Sequence, residues 1–522
     1  MKRVSTTTVR LLILLAAAST ALPTVAQPDD RHSPTLRTTA TPRQEERSLF
    51  SALDSGLRPN VIPAGEPFSG WSLVDRMRHY NVPGVAIAVV RNGELAGSLG
   101  YGSLQAGSGD QVDGDTLFSV GSISKVVTAS TTLRLVAEGR LDLDRNVDDY
   151  LTRWSLPASA TVAQPRATLR MLMSHTAGFG TPGFEDYQPD DPLPTLLQVL
   201  DGQSPAKGSA VRFRNAPGWM QDYSGGGVMV EQMVLEDVTG QSLEDLAQAK
   251  VFSPLGMRRS TFESPLSATR SNVARAHNSQ GEPSAAPRGW ESFAEVGASG
   301  LWTSANDLGR LISGLINSYQ GRSDFLPQPL ATAMMTEVSP GSFGLGPKLA
   351  GTGPGRHFFH LGANESYHAF IEGYPETGDG FAILTNGANG NALVLEIRNA
   401  LADALGLGAH PPVHAVELRL PPSQDFVGRY NLDANVPMDV QRAAADSFEH
   451  PAFDINIVDG ALQVKLPNQD RPTTLLPLGP AHFALAGLYT FGFEFRRDAD
   501  GRVRGVTVSM PEANSIRYYG RE

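Results

Sequence analysis

An α+β fold is predicted for this chain: an antiparallel sheet flanked by helices, with a helical subdomain, followed by a small all-β barrel. Three observations predict it. An early β-hairpin and a late group of strands bracket a long helix-rich middle, which makes the first and last strands neighbours in one sheet. An apolar helical run, opened by a serine and a lysine three residues apart, follows the hairpin. From residue 423 the pattern changes to short alternating strands separated by turn residues.

The elements follow in order. Lys2, Arg3 and Arg10 precede an apolar stretch, Leu11 to Ala18, and the small residues Thr24-Val25-Ala26, so residues 1–26 read as a cleavable signal peptide. A periplasmic or secreted location is therefore expected, with no integral membrane segment once the signal is cut. Residues 27–68 are rich in Pro, Thr and Arg and read as a disordered linker. The main domain spans 69–408. Trp71, Val74, Met77 and Arg78 start an amphipathic helix; Val85–Val90, the Asn92-Gly93 turn and Leu95–Leu99 form the hairpin. The Ser122 helix runs to a stop at Gly139. Thr168 caps a short helix that ends at Ser174-His175, and another helix covers Gln241–Val251. Ser304 opens one that carries Leu308, Leu311, Leu315 and Ile316. Strands at His357–Leu361, Tyr367–Glu372 and Phe381–Thr385 and a helix from Ala392 to Leu405 close the domain. Proline-rich residues 409–422 read as a second linker, and 423–522 as the barrel, with strands such as Phe453-Ile455-Ile457 and Phe491-Phe493-Phe495.

Composition narrows the function. The chain has 522 residues, 41% hydrophobic and 19% charged, with a formal charge of −11. That acidity argues against nucleic acid and anionic membranes as partners. With no cysteine, thiol nucleophiles, disulfides and thiolate metal sites are all excluded.

Ser122-Ile123-Ser124-Lys125 carries the chemistry. Positions i and i+3 share a helix face, so Lys125 Nζ can reach Ser122 Oγ. A serine hydroxyl is a weak nucleophile until a base takes its proton, and a desolvated lysine can be that base. The spacing recurs at Ser204-Pro205-Ala206-Lys207, but there it lies among Gly202, Pro205 and Gly208 and reads as loop. Two further clusters stand out. Tyr223-Ser224-Gly225-Gly226-Gly227 joins two hydroxyls to a glycine run, a pattern of tight turns or of a cleft wall. His360-Leu361-Gly362-Ala363 puts a histidine on a predicted strand.

Taken together, Ser122-x-x-Lys125, Tyr223-Ser224-x and His360-x-Gly362 resemble the three-motif set of the serine β-lactamase and penicillin-binding-protein superfamily. Phe118-Ser119-Val120-Gly121, Ser174-His175-Thr176-Ala177-Gly178, and Ser299-Gly300-Leu301 through Asp307-Leu308 are similar to segments of that family. The resemblance covers about 70–408; the last domain is more faintly similar to the lipocalin-like barrel of some peptidase members. What it implies is a β-lactamase/transpeptidase-like fold and a two-step acyl transfer without a cofactor. Ser122 would be the nucleophile, and Lys125 and Tyr223 would share the protons. The backbone N–H groups of Ser122 and Ala363 would form the oxyanion hole, with Gly362, Gly225 and Ser299 beside the substrate. Gly225 departs from the asparagine common in relatives. His360 departs from the lysine of many β-lactamases and is similar to the H-x-G of D-alanyl-D-alanine carboxypeptidases and D-aminopeptidases. The substrate expected is thus a small molecule or short peptide, foremost one containing D-amino acids. An ester and a slowly hydrolysed β-lactam are the alternatives.

Other classes compete. The same fold can serve as a penicillin-binding sensor that acylates without turnover. The barrel can carry an apolar ligand if hollow. A nucleophile elbow needs G-x-S-x-G, which is absent. Zinc would need clustered ligands; His357, His360 and His368 come nearest, but His357 and His360 lie on opposite faces of one strand.

Overall fold

A computed structural model describes residues 50–522, except Glu66, 159–165, Pro182, 188–190, 285–291, 420–421, Ser423, 434–450, 467–471, 486–490 and 511–514. The expected signal peptide lies outside the described residues. None of the described helices is long and apolar enough to cross a membrane.

The main sheet has six strands in the order Glu94–Gly102, Gly84–Arg91, Asp379–Thr385, His368–Tyr374, His357–Ala363 and Lys348–Ala350. Its neighbours are antiparallel, and Gly84–Arg91 does pair with the late strand Asp379–Thr385. Asn92 and Gly93 both take positive φ (52° and 79°), the twist a two-residue hairpin turn needs.

Alternation along Gly84–Arg91 assigns the two faces. Val85, Ile87 and Val89 join Phe370, Phe381 and Ile383 under the Gly390–Ala404 helix. Ala86, Ala88, Ala369 and Ala382 face the Ala305–Tyr319 helix. Small residues there admit a close approach. A Cβ on Gly309 would lie 2.6 Å from Leu95 Cδ1, and one on Gly380 2.8 Å from Ile312 Cγ2. Ser304 caps that helix by accepting the Asp307 N–H, and Thr168 caps Leu169–Met173 by accepting that of Met171.

Both expected linkers are shorter than predicted. Phe50, Leu53 and Leu57 are 3%, 1% and 0% exposed and pack with the Gly390–Ala404 helix; their spacing is that of one helical face. Val61–Ile62 then pairs in parallel with Val413–His414, so the lead-in and the supposed second linker hold each other. His410 Nε2 sits 2.8 Å from a Glu372 carboxylate oxygen, and Arg58 donates to the His410 carbonyl. Apolar burial of Phe50, Leu53 and Leu57 orders the lead-in, and backbone pairing with buried polar contacts orders the second segment.

The C-terminal domain is a nine-stranded, nearly closed antiparallel barrel. Its edge strands, Thr473–Thr474 and Leu476–Gly479, are sequence neighbours, which brings the two edges together. The interior is filled. Phe426 stacks on Phe495 at 4.1 Å, and Tyr430, Phe453, Phe483, Phe493 and Tyr519 complete the core. Those rings occupy the space in which the carrier reading would place an apolar ligand.

Candidate active site

The strand Phe118–Ser119 pairs with Trp302–Thr303 and delivers the chain to a tight turn at Gly121 (φ 46°). A single 3₁₀ turn, Gly121–Ile123, leads into the helix Ser124–Ala137. Ser122 therefore stands at a helix entrance, half-buried, while the residues after it are buried. Ser124 fixes the entrance: its hydroxyl donates to the Gly121 carbonyl at 2.6 Å and accepts the Leu301 N–H at 2.9 Å.

Lys125 is 3% exposed. Its Nζ lies 3.0 Å from Ser122 Oγ and donates to the Ala298 carbonyl at 2.8 Å. Burial pulls this amine down to about 7. Ala298 lies in the short helix Val296–Ser299, and Gly297 aims it. Thr128 Oγ1 donates to the Gly297 carbonyl, and Gln232 Oε1 accepts the Gly297 N–H, both at 2.9 Å. Ser299 is half-buried and directly follows the carbonyl that holds the lysine. The contact to Lys125 thus comes from a backbone oxygen, which no side-chain pattern announces.

Tyr223 is half-buried, its ring centroid 5.0 Å from Lys125 Nζ. Of the two readings of the glycine run beside it, tight turn or cleft wall, the tight turn does not form. Ser224 accepts the Gly227 N–H at 2.9 Å, and Gly225–Thr239 is one buried helix. A Cβ on Gly226 would sit 3.0 Å from Thr181 and Val211 side-chain carbons, so the glycine serves close packing. Gly225, in the first turn, is buried.

His360 is 4% exposed, on the strand His357–Ala363. Its Nδ1 donates to the Leu361 carbonyl at 2.7 Å, which leaves a lone pair on Nε2. Burial, then the nearby Lys125, lower its pKa to about 3, so the ring is neutral. Its centroid lies 6.3 Å from that of Tyr223 and 6.2 Å from that of Phe343. Lys348–Ala350 covers residues 357–359 of the strand, so the strand's outer edge from His360 on meets the Ser122 turn. A Cβ on Gly362 would be 1.9 Å from the Val120 carbonyl oxygen, and one on Gly121 2.9 Å from Ala363 N. Glycine at both positions brings the Ala363 backbone against the Ser122 turn. Asn364 Nδ2 pins the end of the strand to Ser119 Oγ at 3.0 Å.

The sequence marks His175 as the end of a helix and part of a family-like segment; the structure packs it against Tyr223 with centroids 4.5 Å apart. The second Ser-x-x-Lys is loop, and Lys207 Nζ pairs with Asp191 at 2.8 Å. Among the described residues one group could hold a metal: His357, Glu372 and His410, with ligand atoms within 4.8 Å. By alternation it lies on the strand face opposite His360. His410 and Tyr374 already take up the Glu372 carboxylate.

The family model described as Beta-lactamase matches residues 72–405. Penicillin-binding protein 4 of Amycolatopsis lactamdurans is 33% identical over 38% of this chain and 49% of its own, so the chain spans about half the length of that relative. Esterase EstB of Burkholderia gladioli is 27% identical over 55% of this chain and 76% of its own. The solved D-amino acid amidase of Ochrobactrum anthropi SV3 superposes with a TM-score of 0.54 at 22% identity, over 70% of this chain and 99% of that one. That likeness is one of fold. Since the family model covers well over half of the sequence and includes all three motifs, the chain belongs to the β-lactamase family of serine hydrolases.

Proposed function

We propose that this chain is an exported hydrolase that forms an ester between Ser122 and the acyl group of small amides and esters, foremost those with a D-amino-acid acyl group. The observation that carries the reading is the 3.0 Å contact between Ser122 Oγ and a lysine amine that burial lowers to about 7. Near neutral pH much of Lys125 is an uncharged amine. One of its N–H bonds goes to Ala298, and its lone pair is available for the serine proton.

The steps follow from that arrangement. Lys125 takes the Ser122 proton as Oγ attacks the substrate carbonyl. The C=O electron pair moves onto oxygen, which the N–H groups of Ser122 and Ala363 receive. Collapse breaks the bond to the leaving group, and the departing oxygen or nitrogen takes a proton from the Tyr223–Lys125 pair. Water, deprotonated by the same pair, attacks the acyl carbon and frees Ser122.

His360 supports esters and amides over substrates that need a carboxylate anchor. Buried and uncharged, His360 offers a carboxylate no cation, whereas a lysine ammonium there would attract one. The D-amino-acid preference rests on the H-x-G motif and on the fold shared with the amidase.

The test is mass spectrometry of the purified protein after rapid mixing with D-alanine p-nitrophenyl ester, D-alaninamide, a D-Ala-D-Ala peptide and benzylpenicillin. The expected result is an acyl adduct on the Ser122 peptide that forms and decays with the ester and amide. Ser122→Ala should show neither adduct nor turnover. Full activity in that variant would overturn the mechanism. A single equivalent of product followed by a permanent adduct would make the protein a sensor instead.

A further inference from the structure

We infer that His175 is the positioning residue for Tyr223: it sets where the phenol stands beside Ser122 and Lys125, and so governs protonation of the leaving group. The inference rests on the acyl-transfer reading above, which gives Tyr223 a share in that proton.

His175 follows the Leu169–Met173 helix and takes a φ of 59°, in the left-handed region that few non-glycine residues adopt. From there it reaches the segment around Tyr223 twice. Its backbone carbonyl accepts the Asp222 N–H at 2.8 Å, and its Nδ1 accepts the Ser224 N–H at 3.3 Å. The residues on either side of Tyr223 are thus held by one residue. Between those two contacts the imidazole lies against the phenol ring, with centroids 4.5 Å apart. Phe343 backs the imidazole edge-on at 4.7 Å.

The tautomer follows. Because Nδ1 accepts, the proton is on Nε2, which is buried and has no partner among the described residues. An apolar ring of the same size would fill the space without stranding a polar atom. What the imidazole adds is the acceptor for Ser224. Its surroundings also keep it uncharged: burial, then Lys125, His360 and Lys348, hold it well below the usual imidazole range. The outer side of the same loop is tied separately, by the Asp222 carboxylate to Arg214 and Asn215. On the inner side the tie is His175, whose ring lies against the phenol.

The experiment compares leaving groups on one acyl group. p-Nitrophenolate departs without a proton; an alkoxide or amide nitrogen needs one, and here the Tyr223 O–H bond supplies it as the acyl C–O or C–N bond breaks. Lys125, carrying the serine proton, then restores the phenol. The kcat/KM for D-alanine p-nitrophenyl ester is set against that for D-alanine methyl ester and D-alaninamide. Competent enzyme is counted by fluorophosphonate titration of Ser122, so unfolded protein drops out. His175→Asn tolerates the left-handed backbone and keeps an acceptor but loses the ring; His175→Phe keeps the ring and loses the acceptor. Each should lose about 10²-fold on the methyl ester and amide, and less than about fivefold on the p-nitrophenyl ester. Tyr223→Phe should show the same pattern, and the His175→Asn/Tyr223→Phe double variant should be no worse than Tyr223→Phe alone. Equal losses on both kinds of substrate, or additive losses in the double variant, overturn the inference. If Tyr223→Phe itself treats the substrates alike, the acyl-transfer reading of Tyr223 fails and takes this inference with it. If only the His175 variants do so, the inference fails alone.

Discussion

The core around Ser122 buries Lys125, His175, His360 and Glu231 among apolar side chains. The barrel core is closed by rings: Phe426, Tyr430, Phe453, Phe483, Phe493, Phe495 and Tyr519. There Arg517 is the one buried charged residue among those described. The two cores are equally dry but differ in what dryness does. In the barrel it secures packing and pushes the Tyr430 and Tyr519 phenols up, which leaves them in the neutral form they already prefer. Around Ser122 it pushes groups away from their ordinary charge state. Burial pulls Lys125 down to about 7, pushes Glu231 up to about 8 and holds His360 neutral. A group kept from its preferred charge state costs stability, so the main domain gives up stability where the barrel does not.

The sharpest way to break this contrast is Lys125→Met, an apolar chain of similar length. Turnover of D-alanine p-nitrophenyl ester should fall by about 10³-fold or more, while the melting temperature rises by about 2–4 °C. The sign is fixed by linkage. With a pKa of about 7 folded against 10.5 unfolded, the lysine weakens the fold most below pH 7 and progressively less as pH rises toward 10.5. The gain in the variant should therefore be larger at pH 6 than at pH 9 by differential scanning calorimetry. The parent kcat/KM should show an acid limb near pH 7 that the residual activity of the variant lacks. A melting temperature that drops would show that the amine stabilises the core.

Gly362→Ala comes next. Its Cβ would need the space of the Val120 carbonyl oxygen, 1.9 Å away, so the Ala363 backbone must retreat from the Ser122 turn. The expected loss in kcat is about 10²–10³-fold, as for one missing oxyanion donor. An unchanged kcat would remove Ala363 N–H from the oxyanion site.

The barrel supplies the opposite test. Phe495→Ala should cost the barrel about 3–5 kcal/mol in a denaturant titration and leave ester hydrolysis within about twofold while the main domain is folded. A parallel loss of activity would mean that the barrel shapes the cleft. Smallest is Thr128→Val, which drops the bond to the Gly297 carbonyl and loosens Ala298. About a threefold to tenfold fall in acylation, read from the burst rate, is expected.

Some of this was legible in the sequence because single side chains announce it. Asn92-Gly93 can hardly be other than a hairpin turn, Thr168 and Ser304 are typical helix caps, and Ser122 and Lys125 are spaced to meet on a helix. Other parts were hidden for physical reasons. The Ala298 carbonyl that holds Lys125 is backbone, and backbone oxygens leave no mark on composition. The run Gly225–Gly227 read as a turn because glycine disfavours helices in isolation; packing against Thr181 and Val211 overrides that preference. His175 gave little sign of its partner, since its contacts lie 47 to 49 positions away. Phe50, Leu53 and Leu57 stand at the spacing of one helical face, but the proline-rich neighbourhood hid it.

The two-residue seam between Val61–Ile62 and Val413–His414 has a practical consequence for anyone dissecting the protein. An excision at residue 408, where apolar pattern ends, would leave Val61–Ile62 without its mate and remove the His410 grip on Glu372. Moving the scissors to just after Val416 keeps that clasp shut. The catalytic half can then be judged without a wound inflicted by the surgery.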